Sequence, residues 1–142
     1  MKKLITLSFL LFSLFMFSQQ AEKVSFSQSL EKAKKENKKI LLYFSGSDWC
    51  APCVKFKKQF IYTDQFKSFS EENLVIYNAD FPRLKKNQLP PDTIHENESL
   101  ADKYNNKGLF PLILLLNNDG TILKKWEHLP TESLDTFISE IK

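Results

Sequence analysis

The chain contains only two cysteines, Cys50 and Cys53, which are separated by two residues within the segment FSGSDWCAPC. Two thiols at this spacing can form a disulfide with each other and open it again by thiol–disulfide exchange. The short apolar segment 40–44 before them is typical of a buried strand, and apolar residues at helical spacing after them predict a helix over 51–62. The pair therefore lies where a strand turns into a helix.

This position predicts different roles for the two sulfurs. A thiol at the start of a helix is close to unpaired backbone N–H groups and to the positive end of the helix dipole, which favour the thiolate. Cys50 opens the helix and is expected to be the more exposed, attacking sulfur. Cys53 follows one turn later and is placed to attack the mixed disulfide that Cys50 forms. Pro52 suits the first turn because its missing N–H costs little there, and Trp49 offers an apolar wall beside the reactive sulfur.

Other interpretations of the pair are weaker. A zinc site needs about four ligands, and His95 and His128 are far away in sequence and not at a paired ligand spacing. A structural disulfide usually closes a longer loop, because a crosslink over so short a gap removes little entropy from the unfolded chain. Two inert buried thiols do not account for Trp49 and Pro52. The sequence thus predicts a redox-active pair, with no metal and no cofactor.

The N-terminus has the organisation of a secretory signal peptide. A basic start, MKK, precedes the apolar run 4–17, which is too short for a comfortable membrane span. Cleavage is expected near Ser18 or Gln20, which gives a leader over 1–20 and a single domain over 21–142; an uncleaved membrane anchor is the alternative. We therefore expect a periplasmic or secreted protein, in which one Cys-x-x-Cys indicates disulfide chemistry rather than a disulfide-stapled scaffold.

The charge balance argues against a nucleic-acid partner. The whole chain has a net charge of +3, of which two charges belong to lysines of the predicted leader. The remaining domain is nearly neutral, so the basic pI of the whole chain is no argument for nucleic-acid binding. The sequence also lacks repeats, a glycine-rich phosphate loop and a carboxylate pair at a convincing spacing.

The remaining elements must position the cysteine pair. Helices are predicted over 27–39, over 64–71, over 100–104 with a start near Asn97, and from Pro130 onward; strands are predicted over 40–45, 74–80, 112–117 and 121–126. The polar segment 81–99 is predicted to be a loop in which Pro90 and Pro91 break any element. A tolerated surface insertion is the favoured interpretation, and a functional or mobile loop is the alternative. Asp48 is expected to serve local structure by capping the helix region, and the alternative is that it steers substrate. This order predicts an α/β fold with a central mixed sheet, helices on both faces and an inserted polar loop.

With the motif WCAPC and a proline directly before a hydrophobic strand, this order resembles the thioredoxin fold from about residue 25 to the end. In that family the proline is cis and lies beside the active-site disulfide, which implies a cis bond between Phe110 and Pro111. The backbone at Phe110 would then pair with a bound substrate peptide. The segment FSGSDWC is similar, more specifically, to exported thioredoxin-like reductases of the DsbH type. In those, a polar insertion also follows Asp-Phe-Pro, as it does here at 80–82.

The resemblance implies an enzyme, a thiol-disulfide oxidoreductase that reduces protein disulfides through Cys50 and Cys53. It implies client proteins with disulfides and a membrane electron donor as partners, and we expect a monomer. The residues implied to bind substrate are Trp49, Ala51, Pro52, Phe110 and Pro111.

Two departures from the family pattern affect this interpretation. Tyr43 stands where many thioredoxins bury an acid, and a tyrosine is a poor proton acceptor near neutral pH. The approach Leu109-Phe110 is one residue longer than usual and places a large aromatic at the site.

Ala51-Pro52 resembles the pairs found in reducing members, which favours a reductase. A disulfide oxidase or isomerase, and a binding or chaperone module without turnover, are the alternatives.

Overall fold

The structure is a computed structural model that describes residues 24–142, so the predicted leader over 1–20 lies outside the described residues. Within residues 24–142, no helix has the length and apolar character needed to cross a membrane. In chain order the elements are α1 (Phe26–Glu36), β1 (Lys39–Ser45), α2 (Ala51–Phe56), a π-helical turn (Lys57–Ile61), α3 (Asp64–Asn73), β2 (Leu74–Asp80), a 3₁₀ turn (Lys85–Asn87), α4 (Pro91–Tyr104), β3 (Leu112–Leu116), β4 (Ile122–Trp126) and α5 (Leu134–Ile141).

The strands form one four-stranded mixed sheet in the order β2-β1-β3-β4. β1 runs parallel to β2, with a register that extends from Lys39 opposite Leu74 to Ser45 opposite Asp80. β1 also pairs antiparallel with β3, and β3 forms a hairpin with β4. Because β1 and β2 are parallel, their carboxyl ends lie side by side. The loop that carries the cysteine pair therefore meets the loop that follows β2.

Helices cover both faces of the sheet, which explains why the central strands are apolar almost without interruption. Leu41 and Tyr43 of β1 belong to a core shared with α2, α3 and α5. Ile40, Leu42 and Phe44, the alternate residues of the same strand, belong to a second core shared with α1 and α4. This division follows from the two-residue period of a strand. The predicted α/β fold, with a mixed sheet between helices, is confirmed.

The helix that carries the cysteine pair changes pitch after Phe56. The segment predicted as one helix over 51–62 is helical almost throughout, but Lys57–Ile61 forms a π turn. In a regular α-helix, a residue five positions further on points away from the first, whereas the wider π turn brings it back to the same side. Phe56, Phe60 and Ile61 are accordingly all buried in one core.

The start of α4 corrects the prediction for the polar segment. Pro90 and Pro91 do not break the helix, because Pro91 is its first residue. Proline suits that position, since its φ is already helical and it has no N–H to leave unsatisfied. The segment 91–99 is therefore helical, and the polar insertion is confined to 81–90.

Capping residues explain the other shifted boundaries. α1 ends at Glu36 rather than Lys39 because Asn37 adopts the left-handed conformation, with a φ of 51°. The last helix begins at Leu134 rather than near Pro130, because the Ser133 side chain accepts the hydrogen bond that caps it.

Phe137 on α5 is fully buried, and its ring contacts the rings of Phe56, Phe60, Phe66 and Trp126. Replacing it by alanine removes these contacts and leaves a cavity that the surrounding rings can fill only in part. We expect Phe137→Ala to lower the free energy of unfolding by about 3–5 kcal/mol. Urea denaturation followed by far-UV circular dichroism measures this change.

The matched control is Ser139→Ala, on the exposed side of the same helix. Its effect is expected to stay within about 0.5 kcal/mol. Equal effects of the two substitutions would contradict the placing of Phe137 at the centre of this core.

Candidate active site

The end of β2 holds the loop between β1 and α2. The Ser45 hydroxyl lies 2.7 Å from Oδ1 of Asn78 and 2.9 Å from Oδ1 of Asp80. The backbone N–H of Ser47 donates to the same Asp80 oxygen at 2.8 Å. The loop also closes on itself, since the Cys50 N–H donates to the Gly46 carbonyl at 2.9 Å. The pairing of β1 with β2 thus determines where Cys50 begins its helix.

Trp49 lies in a space that exists because residue 46 is a glycine. A Cβ on Gly46 would lie 2.2 Å from Cε2 of Trp49, too close for any side chain. The indole N–H donates to the Phe81 carbonyl at 2.7 Å, and the ring meets that of Phe110 edge-on, with centroids 5.2 Å apart. Trp49 is therefore held as a wall beside the cysteine pair, between the segment that follows β2 and the segment that precedes β3.

Cys50 and Cys53 are joined by a disulfide. Cys50 is the N-cap of α2, and its Sγ accepts a hydrogen bond from the Cys53 N–H at 3.2 Å. Its side chain and that of Cys53 are both buried, with Cys50 4% and Cys53 1% exposed. Once the disulfide is opened, the N–H contact and the helix dipole both stabilise a negative charge on the Cys50 sulfur.

The residues predicted to bind substrate line two clefts next to the start of α2. The peptide bond between Phe110 and Pro111 is cis, as the family resemblance implies. These two residues line a cleft of about 410 Å³ with Ala51 and Pro52. Trp49 lines a second cleft, of about 600 Å³, and Phe110 contributes to both. The two clefts therefore adjoin at Phe110. In the sequence, Cys50 lies between Trp49, which lines the second cleft, and Ala51, which lines the first.

Asn105, which the sequence analysis missed, fastens the segment that precedes the cis bond. Its side chain is 3% exposed. Its Oδ1 accepts from the Leu109 N–H at 2.8 Å, and its Nδ2 donates to the Leu109 carbonyl at 2.9 Å. A side chain that pairs with a loop backbone four residues later produces no periodic pattern in the sequence. The role of Asn105 is visible only in the folded protein, from its burial and from these two hydrogen bonds.

The two histidines have different positions. His128 follows β4 and lines the cleft of about 410 Å³, near Leu129 and Thr131. His95 is exposed on α4 and lines neither of the two clefts. Sequence distance had given no reason to place His128 at the site, because the turn after β4 returns the chain to the cis-proline only in the folded protein.

Asp48 organises residues 82–87, a segment that we call the strap. Its carboxylate accepts hydrogen bonds from the N–H of Arg83 at 3.0 Å, the N–H of Leu84 at 2.9 Å and the side-chain amide of Asn87 at 3.0 Å. These hydrogen bonds hold the pKa of Asp48 below its ordinary value, and the one from the Arg83 N–H has the largest effect. The expected structural role of Asp48 is confirmed, but what it stabilises is the strap and not the start of α2, whose N-cap is Cys50.

Tyr43 is buried in the core beneath the active-site helix, with its ring edge-on to Phe56 at 5.5 Å between centroids. Burial raises the pKa of its hydroxyl well above the usual range, because a charged phenolate would be poorly solvated there. Tyr43 therefore stays protonated and cannot accept a proton from Cys53 at neutral pH.

Comparisons with known proteins agree with this geometry. A profile described as thioredoxin-like matches residues 20–118. Over 118 residues the chain is 31% identical to the disulfide bond reductase DsbH of Chlamydia pneumoniae. The aligned part is 83% of this chain and 69% of that protein. The chain is 26% identical over 101 residues to the thioredoxin-related protein DsbJ of the same organism, covering 71% of this chain and 28% of DsbJ. The solved structure of a DsbH oxidoreductase superposes with a TM-score of 0.73 at 30% identity, covering 83% of this chain and 79% of that one.

We expect Asp48→Asn to loosen the strap, because a neutral amide accepts weaker hydrogen bonds than a carboxylate does. Amide hydrogen exchange at Arg83 and Leu84, measured by NMR, should become about tenfold faster. In the wild type the folded-state pKa of Asp48 is lowered. Its stabilising effect is therefore present above the pKa of the unfolded state and is lost as the pH falls through the lower folded-state pKa. The variant should lack this acid-dependent loss.

Asp119→Asn is the matched control. Asp119 also has a lowered pKa, from its contacts with Thr121 in the turn between β3 and β4. It should alter exchange at Thr121 and leave Arg83 and Leu84 unchanged. Strap protection that is the same in Asp48→Asn as in the wild type would show that the strap is held by something else.

Proposed function

The chain belongs to the thioredoxin-like family, and from this membership we propose that it is an exported reductase of protein disulfides, with Cys50 and Cys53 as its catalytic residues. As a DsbH-like thiol-disulfide oxidoreductase it has the redox pair that this chemistry needs. The observation that carries the proposal is the position of the Cys50 sulfur. It caps α2, where a thiolate is stabilised, and the next residue, Ala51, lines the cleft of the cis-proline.

The reaction begins with the dithiol form. The Cys50 thiolate attacks one sulfur of a client disulfide, which forms a mixed disulfide and releases the first client sulfur as a thiolate. Cys53 then gives up its proton to water and attacks Sγ of Cys50. The second client thiol leaves, and Cys50 and Cys53 end as the disulfide seen in the structure. Two electrons pass to the client, and a dithiol donor must return them.

Water takes the proton from Cys53 in this scheme because Tyr43 cannot. The phenol at the position of the family's buried acid stays protonated, as its raised pKa indicates. The Cys53 N–H already donates to the Cys50 sulfur, so it stabilises the thiolate that attacks in the first step. The sulfur that leaves in the second step belongs to the client, so the capping contact assists the attack by Cys50 only.

Client binding is assigned to the two clefts. Trp49, Ala51, Pro52, Phe110 and Pro111 would contact an extended client segment, with the backbone at Phe110 pairing with it as a short strand. Ala51 and Pro52 are exposed beside the buried disulfide, so the client reaches the sulfur over them. The half-buried ring of Phe110 lies between the clefts and favours clients with apolar residues near the cysteine.

The reducing direction is supported by the residues between the cysteines. Ala51 and Pro52 bring no side-chain charge or hydrogen-bond donor to the Cys50 sulfur, so its thiolate is stabilised less than in strong oxidants. A curated relative is named a disulfide bond reductase. We further propose that the protein works as a monomer in the periplasm or outside the cell after loss of residues 1–20, and that a membrane protein supplies its electrons.

An insulin-reduction assay with dithiothreitol as electron source tests the activity. The wild type should accelerate the precipitation of insulin chains, and Cys50→Ser should give only the uncatalysed rate. Cys53→Ser keeps the attacking sulfur but removes the resolving one. It should therefore accumulate a mixed disulfide with the client, visible by mass spectrometry. If Cys50→Ser matches the wild type, the reductase proposal is wrong and a binding or chaperone module remains.

The reduction potential of the cysteine pair tests the direction. Equilibration against glutathione or dithiothreitol buffers should give a value of roughly −230 to −270 mV, in the range of glutaredoxins and thioredoxin. A value of roughly −120 to −180 mV, as in strong oxidants and isomerases, would overturn the reductase and favour an oxidase or isomerase.

A further inference from the structure

We propose that Arg83 is a specificity-determining residue, which recognises an acidic side chain next to the cysteine of a client disulfide. This inference rests on the proposed function, because it names the clients that the same site selects. It assigns a role to the strap, which the redox chemistry itself does not use.

Arg83 is exposed at the edge of the active site. Its guanidinium carbon lies 3.9 Å from the centroid of the Trp49 ring, so the planar group stacks on the wall beside Cys50. It lines the cleft of about 600 Å³ together with Trp49, Phe81 and Phe110. A client segment that leaves the Cys50 sulfur on the Trp49 side must pass this charge.

The guanidinium has unused hydrogen-bonding capacity. Among the described residues, no carboxylate lies within ion-pair distance of Arg83, and its side chain donates no hydrogen bond. The carboxylate of Asp48, which binds the backbone of Arg83, is occupied by backbone N–H groups of the strap and by Asn87. Five N–H donors therefore remain available to a ligand.

The strap holds Arg83 in place without using its side chain. The backbone of Arg83 and that of Leu84 are bound by Asp48, and Trp49 is fixed by its hydrogen bond to the Phe81 carbonyl. Stacking on Trp49 limits the rotamers of the guanidinium, so less conformational entropy is lost when it binds a partner. A charged, oriented and unpaired group at the edge of a reactive site has the properties of a recognition residue.

The chemistry of the group selects the ligand. A guanidinium matches a carboxylate in two parallel hydrogen bonds, which an ammonium cannot do. We therefore expect clients with Glu or Asp within one or two residues of the attacked cysteine to be preferred, and clients with Lys at that place to be disfavoured.

The test uses three disulfide peptides that differ only in a Glu, Gln or Lys beside the attacked cysteine. The value of kcat/KM for their reduction is measured with the wild type, with Arg83→Met and with the control Lys86→Met. Methionine retains an apolar contact with Trp49 but has no charge. The wild type should prefer Glu over Gln by about fivefold to tenfold at low salt. This ratio should fall to near one in Arg83→Met and persist in Lys86→Met.

Dissociation constants for the same peptides with serine in place of cysteine are measured in parallel. They report recognition without turnover, so the two proposals fail separately. A wild type that reduces no peptide but binds the Glu peptide through Arg83 would overturn the reductase and keep the recognition. Equal kcat/KM and equal binding for all three peptides, or a preference that survives in Arg83→Met, would overturn the role of Arg83 and leave the reductase intact.

Discussion

The parallel pairing of β1 with β2 is the constraint on which the site depends. It places Ser45 opposite Asp80, so the chain leaves both strands at the same edge of the sheet. The Asp80 carboxylate then accepts from Ser47 and Ser45 and positions the loop that carries Cys50. Residues far apart in sequence become one site because two strand ends coincide, a position where α/β sheets commonly place their functional loops.

Polar side chains hold the loops that surround the disulfide. Asp48 binds the strap, Asp80 binds the cysteine loop, and Asn105 binds the segment before the cis-proline. Each side chain forms hydrogen bonds with backbone groups that lie outside helices and strands. Such groups need a partner of this kind when they are shielded from water, because no regular element supplies one. Cys50 is thus surrounded by loops that are held in place, which fixes the position of its sulfur at the N-cap relative to the two clefts.

The immediate surroundings of the sulfurs are simple. The N-terminus of α2 and the Cys53 N–H stabilise charge on Cys50, and Trp49 with Phe110 provides apolar walls. The core beneath the helix contains the neutral phenol of Tyr43 instead of an acid. Charge near the site comes from the strap instead, where Arg83 lies over the Trp49 ring. Tyr43 thus gives Cys53 no acid–base help, and Arg83 is the group that we propose to discriminate among clients.

The cysteine pair and the strands could be predicted from the sequence because both depend on local patterns. The spacing of Cys50 and Cys53 between a buried strand and a helix indicated the redox pair, and runs of apolar residues located the strands almost to the residue. The cis bond at Pro111 followed from the family resemblance rather than from any periodicity. The start of α4 was missed because Pro91 reads as a helix breaker unless its place in the first turn is known.

Only the tertiary structure brought Arg83, Asn105 and His128 to the site. Their positions depend on strand order and on loop contacts between residues far apart in the chain, which leave no mark in local hydrophobic spacing. The sequence by itself determined the chemistry of the pair and the elements that carry it, because both arise from neighbours along the chain. The fold decided which side chains surround the pair, because that depends on which loops the sheet brings together.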